Sequence, residues 1–142
     1  MTRGWAGAAL LLVAVACGPA RDNVTAASPD GVWRLRSQRH EGTLVRLVIS
    51  RPANPTEPTL IDTRDTDAMK WVAGWSREGY VLFYGSDTGA TIARRWDGAT
   101  WSPVAFTADL CGQLASLFAK KYGRGEGPHC IAGGDPAVYG VP

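Results

Sequence analysis

The sequence predicts a mainly β, or α+β, fold: an antiparallel meander of about seven strands followed by one C-terminal helix. The strands would form a curved sheet, a small barrel or a sandwich. Three observations carry this expectation. Apolar and polar residues alternate with period two in several segments, such as Met69, Trp71, Ala73 and Trp75. The stretches between those segments are short and rich in Gly, Asp, Ser and Pro. Near the C-terminus the apolar spacing changes to threes and fours, at Leu110, Leu114, Leu117 and Phe118.

The chain opens with a segment of a different kind. Arg3 supplies a positive start, and Trp5 to Ala16 form an apolar run of small and aliphatic residues. At about 12 residues the run is shorter than the ~20 that span a bilayer as a helix. A positive start, a short apolar stretch and small residues at its end make residues 1–16 a secretory signal. That signal ends in Ala14-Val15-Ala16-Cys17-Gly18. This stretch resembles the lipobox of bacterial lipoproteins. The resemblance implies a diacylglyceryl group on the Cys17 sulfur, cleavage just before Cys17, acylation of the new amine and anchorage to a bacterial membrane. The family favours Leu three residues before the cysteine, where this chain has Ala14. Ala14-Val15-Ala16 also fits the A-x-A pattern of the ordinary signal peptidase, and both routes cut the same bond. Gly18, in place of an Asp that would favour inner-membrane retention, is compatible with an outer-membrane site facing the periplasm in a Gram-negative cell. Residues 17–30 then read as the lipidated cysteine and a flexible tether, small, polar and broken by Pro19 and Pro29.

The folded domain is expected over residues 31–142, a length that can bury a real core. In Val32 to Arg36, Trp33 and Leu35 fall on one face and Arg34 and Arg36 on the other, as in a strand with a dry and a wet side. Ser28-Pro29-Asp30-Gly31 forms a tight turn into it. Leu44 to Ile49 is a second, more apolar strand. Arg51 to Pro58 holds Pro52, Pro55 and Pro58 and reads as a loop. Further strands follow at Thr59–Asp62, Met69–Trp75, Tyr80–Gly85, Ala90–Trp96 and Trp101–Phe106. Asp97-Gly98 between the last two is a strong hairpin signal, because both residues tolerate positive φ. The helix spans 109–122, with Thr107 or Asp109 as its cap, Lys120 and Lys121 suiting its C-terminal dipole and Gly123 ending it.

Cysteine count and charge narrow the function classes. Lipid on Cys17 explains the odd thiol of three and leaves Cys111 and Cys130 to pair in an oxidising compartment. Such a bond would fold the Gly-rich tail against the start of the helix. Without Arg3 the chain carries 14 basic and 13 acidic side chains, too even for nucleic-acid binding. No residue pattern calls for a cofactor or a metal.

Several clusters are candidate sites. Trp71, Trp75, Trp96 and Trp101 could form an aromatic surface for sugars or peptides, or the core of a small β domain. Arg34, Arg36 and Arg46 could share a basic face for anionic lipid or cell-wall polymer, or be a wet face paired with acids. Asp62, Asp65 and Asp67 could offer oxygens to Ca²⁺, but their spacing suits a polar turn better. His40 next to Glu41 could serve a hydrolase with a carboxylate or serine, although no spaced catalytic motif surrounds it. The expected function is therefore a noncatalytic envelope lipoprotein. Its domain would bind an envelope protein, glycan or lipid. The alternatives are a small envelope hydrolase using His40, or an inhibitor or immunity-type protein acting through Arg51–Pro58 or the disulfide-bound tail.

Overall fold

The computed structural model describes residues 24–125 and 127–133. Cys17 and the signal at 1–16 lie outside the described residues. Among the described residues, eight strands and one helix follow in order. They are β1 Thr25–Ala27, β2 Arg34–His40, β3 Leu44–Arg51, β4 Asn54–Thr66, β5 Trp71–Trp75, β6 Val81–Gly85, β7 Thr91–Trp96, β8 Trp101–Pro103 and α1 Ala108–Tyr122. They build two antiparallel four-stranded sheets in simple meander order, β1-β2-β3-β4 and β5-β6-β7-β8. The sheets pack face to face and form no closed barrel. The α1 helix covers the far side of the second sheet.

The core divides accordingly. Leu35, Leu47, Ile49, Ile61, Trp71, Val81, Phe83, Ile92 and Trp101 fill the space between the sheets. Val72, Leu82, Tyr84 and Ala93 meet Leu110, Leu114 and Phe118 of α1. Alternation along β5 to β7 sends successive residues to these two cores, so β6 is buried at every position. The first sheet keeps one wet face, which is why β2 reads as alternating.

Three expectations change. The tether does not reach Asp30: β1 occupies Thr25–Ala27 and pairs with β2 at Thr25–Arg36, Ala26–Leu35 and Ala27–Arg34. Small residues hid this strand, because Ala and Thr give no apolar alternation to read. The intervening turn is held by side chains: Ser28 Oγ donates to Asp30 Oδ1 at 2.5 Å, and Trp33 N donates to Ser28 Oγ at 2.9 Å. Secondly, Arg51–Pro58 is not a loop. The chain turns after Arg51, and β4 begins at Asn54, carrying Pro55 and Pro58 within it. β4 is the edge of its sheet, where a missing N–H can face solvent, and the register shifts by a bulge just there. Thirdly, β5 starts at Trp71, and Met69 lies in the preceding turn, 49% exposed, not on the core face.

The helix ends are as the sequence implies. Thr107 Oγ1 accepts from Leu110 N at 3.1 Å, and Gly123, at φ 83°, donates to Ala119 O at 2.8 Å. The Cys111–Cys130 disulfide closes the tail onto α1, with Cα atoms 5.5 Å apart. Gly133 N adds a hydrogen bond to Phe106 O at 2.7 Å. Among the described residues, no helix is long and apolar enough to cross a membrane.

Candidate functional site

The tryptophans gather at one end of the sandwich. Trp33, which sequence reasoning placed only as a core residue, lies 4.9 Å from Trp96 and 5.1 Å from Trp101 between ring centroids. Trp75 lies 5.7 Å from Trp101 and donates from Nε1 to Ala26 O at 3.1 Å. Arg51 caps the group, its guanidinium 4.4 Å from the Trp33 ring. Trp71 stands apart, 2% exposed and stacked near Phe83. Trp71 and Trp101 are therefore core residues, while Trp75 and Trp96 pack half-buried against that core. The four do not form an exposed aromatic platform.

The register puts Arg34, Arg36 and Arg46 on the outer face of the first sheet, as Arg34 opposes Ser50 and Arg36 opposes Val48, while Gln38 opposes Arg46. Arg34 and Arg36 are exposed. Arg46 is held: its Nε donates to Asp62 Oδ1 at 2.5 Å. That bond lowers the Asp62 pKa and raises that of Arg46. Arg39 likewise pairs with Asp67. Two of the three clustered aspartates thus serve ion pairs, and Asp65 turns the other way, into the interior. Among the described residues, no three His, Cys, Asp or Glu side chains gather in a way that could hold a metal.

His40 lies at the far end of that outer face. Its Nδ1 is 3.1 Å from Arg46 Nη2. An arginine only donates, so Nδ1 is the acceptor in this contact. Nε2 sits 3.4 Å from Asp62 Oδ1 and has no hydrogen-bond partner. An acid and a cation flank His40, but no Ser, Thr or Cys among the described residues hydrogen-bonds it. Of the two partners expected for His40, a carboxylate is therefore near the ring and a serine is not hydrogen-bonded to it.

Among the described residues, two further concavities bear on the site. An open groove of about 840 Å³ runs beside α1, lined by Trp75, Arg77, Asp109, Gln113, Leu117 and Lys120, among others. Its polar wall is already satisfied: Arg77 Nη2 donates to Asp109 Oδ1, and Gln113 bridges Asp109 and Glu78. The second is a more enclosed, polar pocket of about 320 Å³ on the seam between β4 and β7–β8. Thr59, Leu60, Ile61, Asp62, Arg64, Arg94 and Trp101 line it. Arg94 has the parity of Ile92, an inward residue of β7, so it projects toward the gap between the sheets. Its Nε is buried without a hydrogen-bond partner, and so is Trp101 Nε1. Burial lowers the Arg94 pKa, and among the described residues no acid pairs with it. Arg64 reaches the rim from a β4 bulge, at a positive φ of 61°.

Arg94 and Arg64 were not singled out from the sequence. The signal for Arg94 was available, since a cation at an inward position of a strand breaks the apolar alternation. The signal for Arg64 was not, because it depends on the bulge. Compared with known proteins, the chain matches no family model, no curated protein and no solved structure, so the reading of its site rests on this geometry.

Proposed function

We propose that this chain is a noncatalytic binding module of the bacterial cell envelope, exported by its leader and held at a membrane by lipid on Cys17. The observation that carries the binding role is the seam pocket. It is lined by Trp101, Arg64 and Arg94, and among the described residues no acid pairs with Arg94. An unpaired cation lining a partly enclosed, polar pocket favours an acidic or hydrogen-bond-accepting ligand. His40, by contrast, has Asp62 beside it and no hydrogen-bonded Ser, Thr or Cys among the described residues, so a serine-type hydrolase has less support. Anchorage is supported by the leader and by the lipobox-like stretch before Cys17. The Cys111–Cys130 bond suits an oxidising compartment.

The test of anchorage is a comparison of wild type with Cys17→Ser. Wild type should fractionate with membranes and enter the detergent phase, and the variant should not. Equal fractionation of the two would remove the lipid from this account. For the binding role, crosslinking in intact cells should trap wild type on an envelope component. The Arg94→Met variant should lose that adduct while keeping its fold.

A further inference from the structure

We propose that the outer face of the first sheet, at Arg34 and Arg36, is a contact for anionic phospholipid headgroups that orients the tethered domain on its membrane. This rests on the anchored-module reading and names the surface that the domain turns to the bilayer.

The charge pattern of the sheet comes first. Arg34, Arg36 and Arg39 lie on β2, and Arg46 and Arg51 on β3. The fold gives three of them partners: Arg39 pairs with Asp67, Arg46 pairs with Asp62, and Arg51 stands over the Trp33 ring. Among the described residues, the side chains of Arg34 and Arg36 have neither an ion pair nor a hydrogen bond, and both residues are exposed. The register explains why. Arg36 lies between Thr25 and Val48, and Arg34 between Ala27 and Ser50, none of them acidic. Asp62, the carboxylate that the register places on the same face, is held by Arg46. Residues two apart on a strand share a face, so both guanidinium groups leave the sheet on the same side. Two uncompensated cations on an open sheet face suit a broad anionic surface better than a small ligand.

Position then selects the lipid. β1 is the strand beside Arg34 and Arg36, and Val24, just before it, follows Cys17 by seven Cα–Cα steps. Between them Arg21 and Asp22 cancel, so residues 18–23 bring no net charge of their own. The charge that meets the headgroups is therefore that of the sheet. Each Arg near an anionic bilayer strengthens association about fivefold, so two favour this orientation about 25-fold. That is too little to recruit a free domain and enough to turn one already held at the surface.

The groove beside α1 carries less. It is larger, but nothing among the described residues indicates what would fill it.

The experiment couples the processed chain, residues 17–142, to a maleimide phospholipid in nanodiscs. Cys111 and Cys130 are bonded, so Cys17 is the free thiol of the three. The discs are phosphatidylcholine, alone or with about one-third phosphatidylglycerol, and carry a gadolinium-chelate lipid. NMR then reads how strongly the bilayer broadens each backbone amide. In anionic discs, Thr25, Arg34 and Arg36 should be broadened at least fivefold more than Ser116 on α1. The contrast should vanish in neutral discs, in about 0.5 M NaCl, and in Arg34→Gln with Arg36→Gln. Arg34→Lys with Arg36→Lys should keep it, since charge is what matters. Equal broadening of the two sides, α1 nearest the bilayer, the same contrast in neutral discs, or persistence in the Gln variant or in salt overturns the proposal. Polygalacturonate at an equal concentration of charge should leave the contrast in place. Its loss would assign the face to acidic polymer and also overturn the lipid contact. Chemical coupling keeps this result independent of acylation in the cell. A failed contrast leaves membrane fractionation of the wild type standing, and a bare Cys17 thiol in cells removes the anchor without touching the measured orientation.

Discussion

Asp65 has no exposed surface, and it accepts hydrogen bonds from Thr88 N at 3.0 Å and Thr88 Oγ1 at 2.8 Å. Thr63 and Asp65 continue the inward parity of Ile61 along β4, and Thr63 Oγ1 donates to Val45 O at 2.7 Å. Asp65 thereby ties the first sheet to the β6–β7 turn of the second. Burial pushes its pKa up, and the Thr88 bonds offset this only in part. A raised folded-state pKa means that the bound proton stabilises the fold. That contribution is complete below the ordinary carboxylate range and is lost as pH rises through the folded value. In urea titrations at several pH values, wild type should gain stability relative to Asp65→Asn as pH falls from 7 toward 4. A difference independent of pH would show that Asp65 is not the titrating group. Gly85 makes this arrangement possible: a Cβ there would overlap the Asp65 carboxyl. Gly85→Ala should cost about 2 kcal/mol in wild type and far less in an Asp65→Ala background, a coupling that a double-mutant cycle measures.

At the scale of elements, the strands with large apolar residues were legible. Leu44–Ile49, Tyr80–Gly85, Ala90–Trp96 and the helix at 109–122 lie within a residue or two of β3, β6, β7 and α1. Period-two and period-3.6 patterns survive wherever a face is buried. Three features were not legible. β1 is built of Thr and Ala and is fixed by pairing, not by its own pattern. β4 runs through two prolines because it is an edge. The seam pocket joins Asp62 to Arg94 and Trp101, residues whose proximity follows from how two sheets stack. The pairing of Cys111 with Cys130 was legible once the lipobox-like stretch set Cys17 aside. Its bond closes a separation of 19 residues, for which loop entropy contributes about 3 kcal/mol. Reduction, or Cys111→Ser with Cys130→Ser, should lower the urea midpoint through a stability loss of that order, while the far-UV signal of α1 persists in the absence of urea. Loss of the helical signal before any urea is added would mean that the bond holds α1 itself.

For the molecule as a whole, the second sheet is the shared wall of two cores. Phe83 and Leu82, adjacent in β6, face the tryptophan side and the helix side respectively, and both are fully buried. Neither core can open without exposing that sheet, so the domain should unfold in one step. Tryptophan fluorescence reports the inter-sheet core, and helical circular dichroism reports α1. The two should give one urea midpoint, and Leu114→Ala, a change in the helix-side core alone, should lower both together, by a loss of about 3 kcal/mol in unfolding free energy. Separate midpoints would mean that sheet and helix are independent units.

The hairpin of β1 and β2 has a spatial consequence. Described structure begins at Val24, so only six residues, or seven Cα–Cα steps, separate it from Cys17. Even fully drawn out they reach roughly 25 Å. With acyl chains on Cys17, as proposed, that leash would confine the domain to a thin layer above the lipid headgroups. Arg36, directly opposite the first residue of β1, would then be close to the surface. A ligand displayed in that same layer would be met by lateral diffusion at high effective concentration, so modest intrinsic affinity in the seam would suffice for retention.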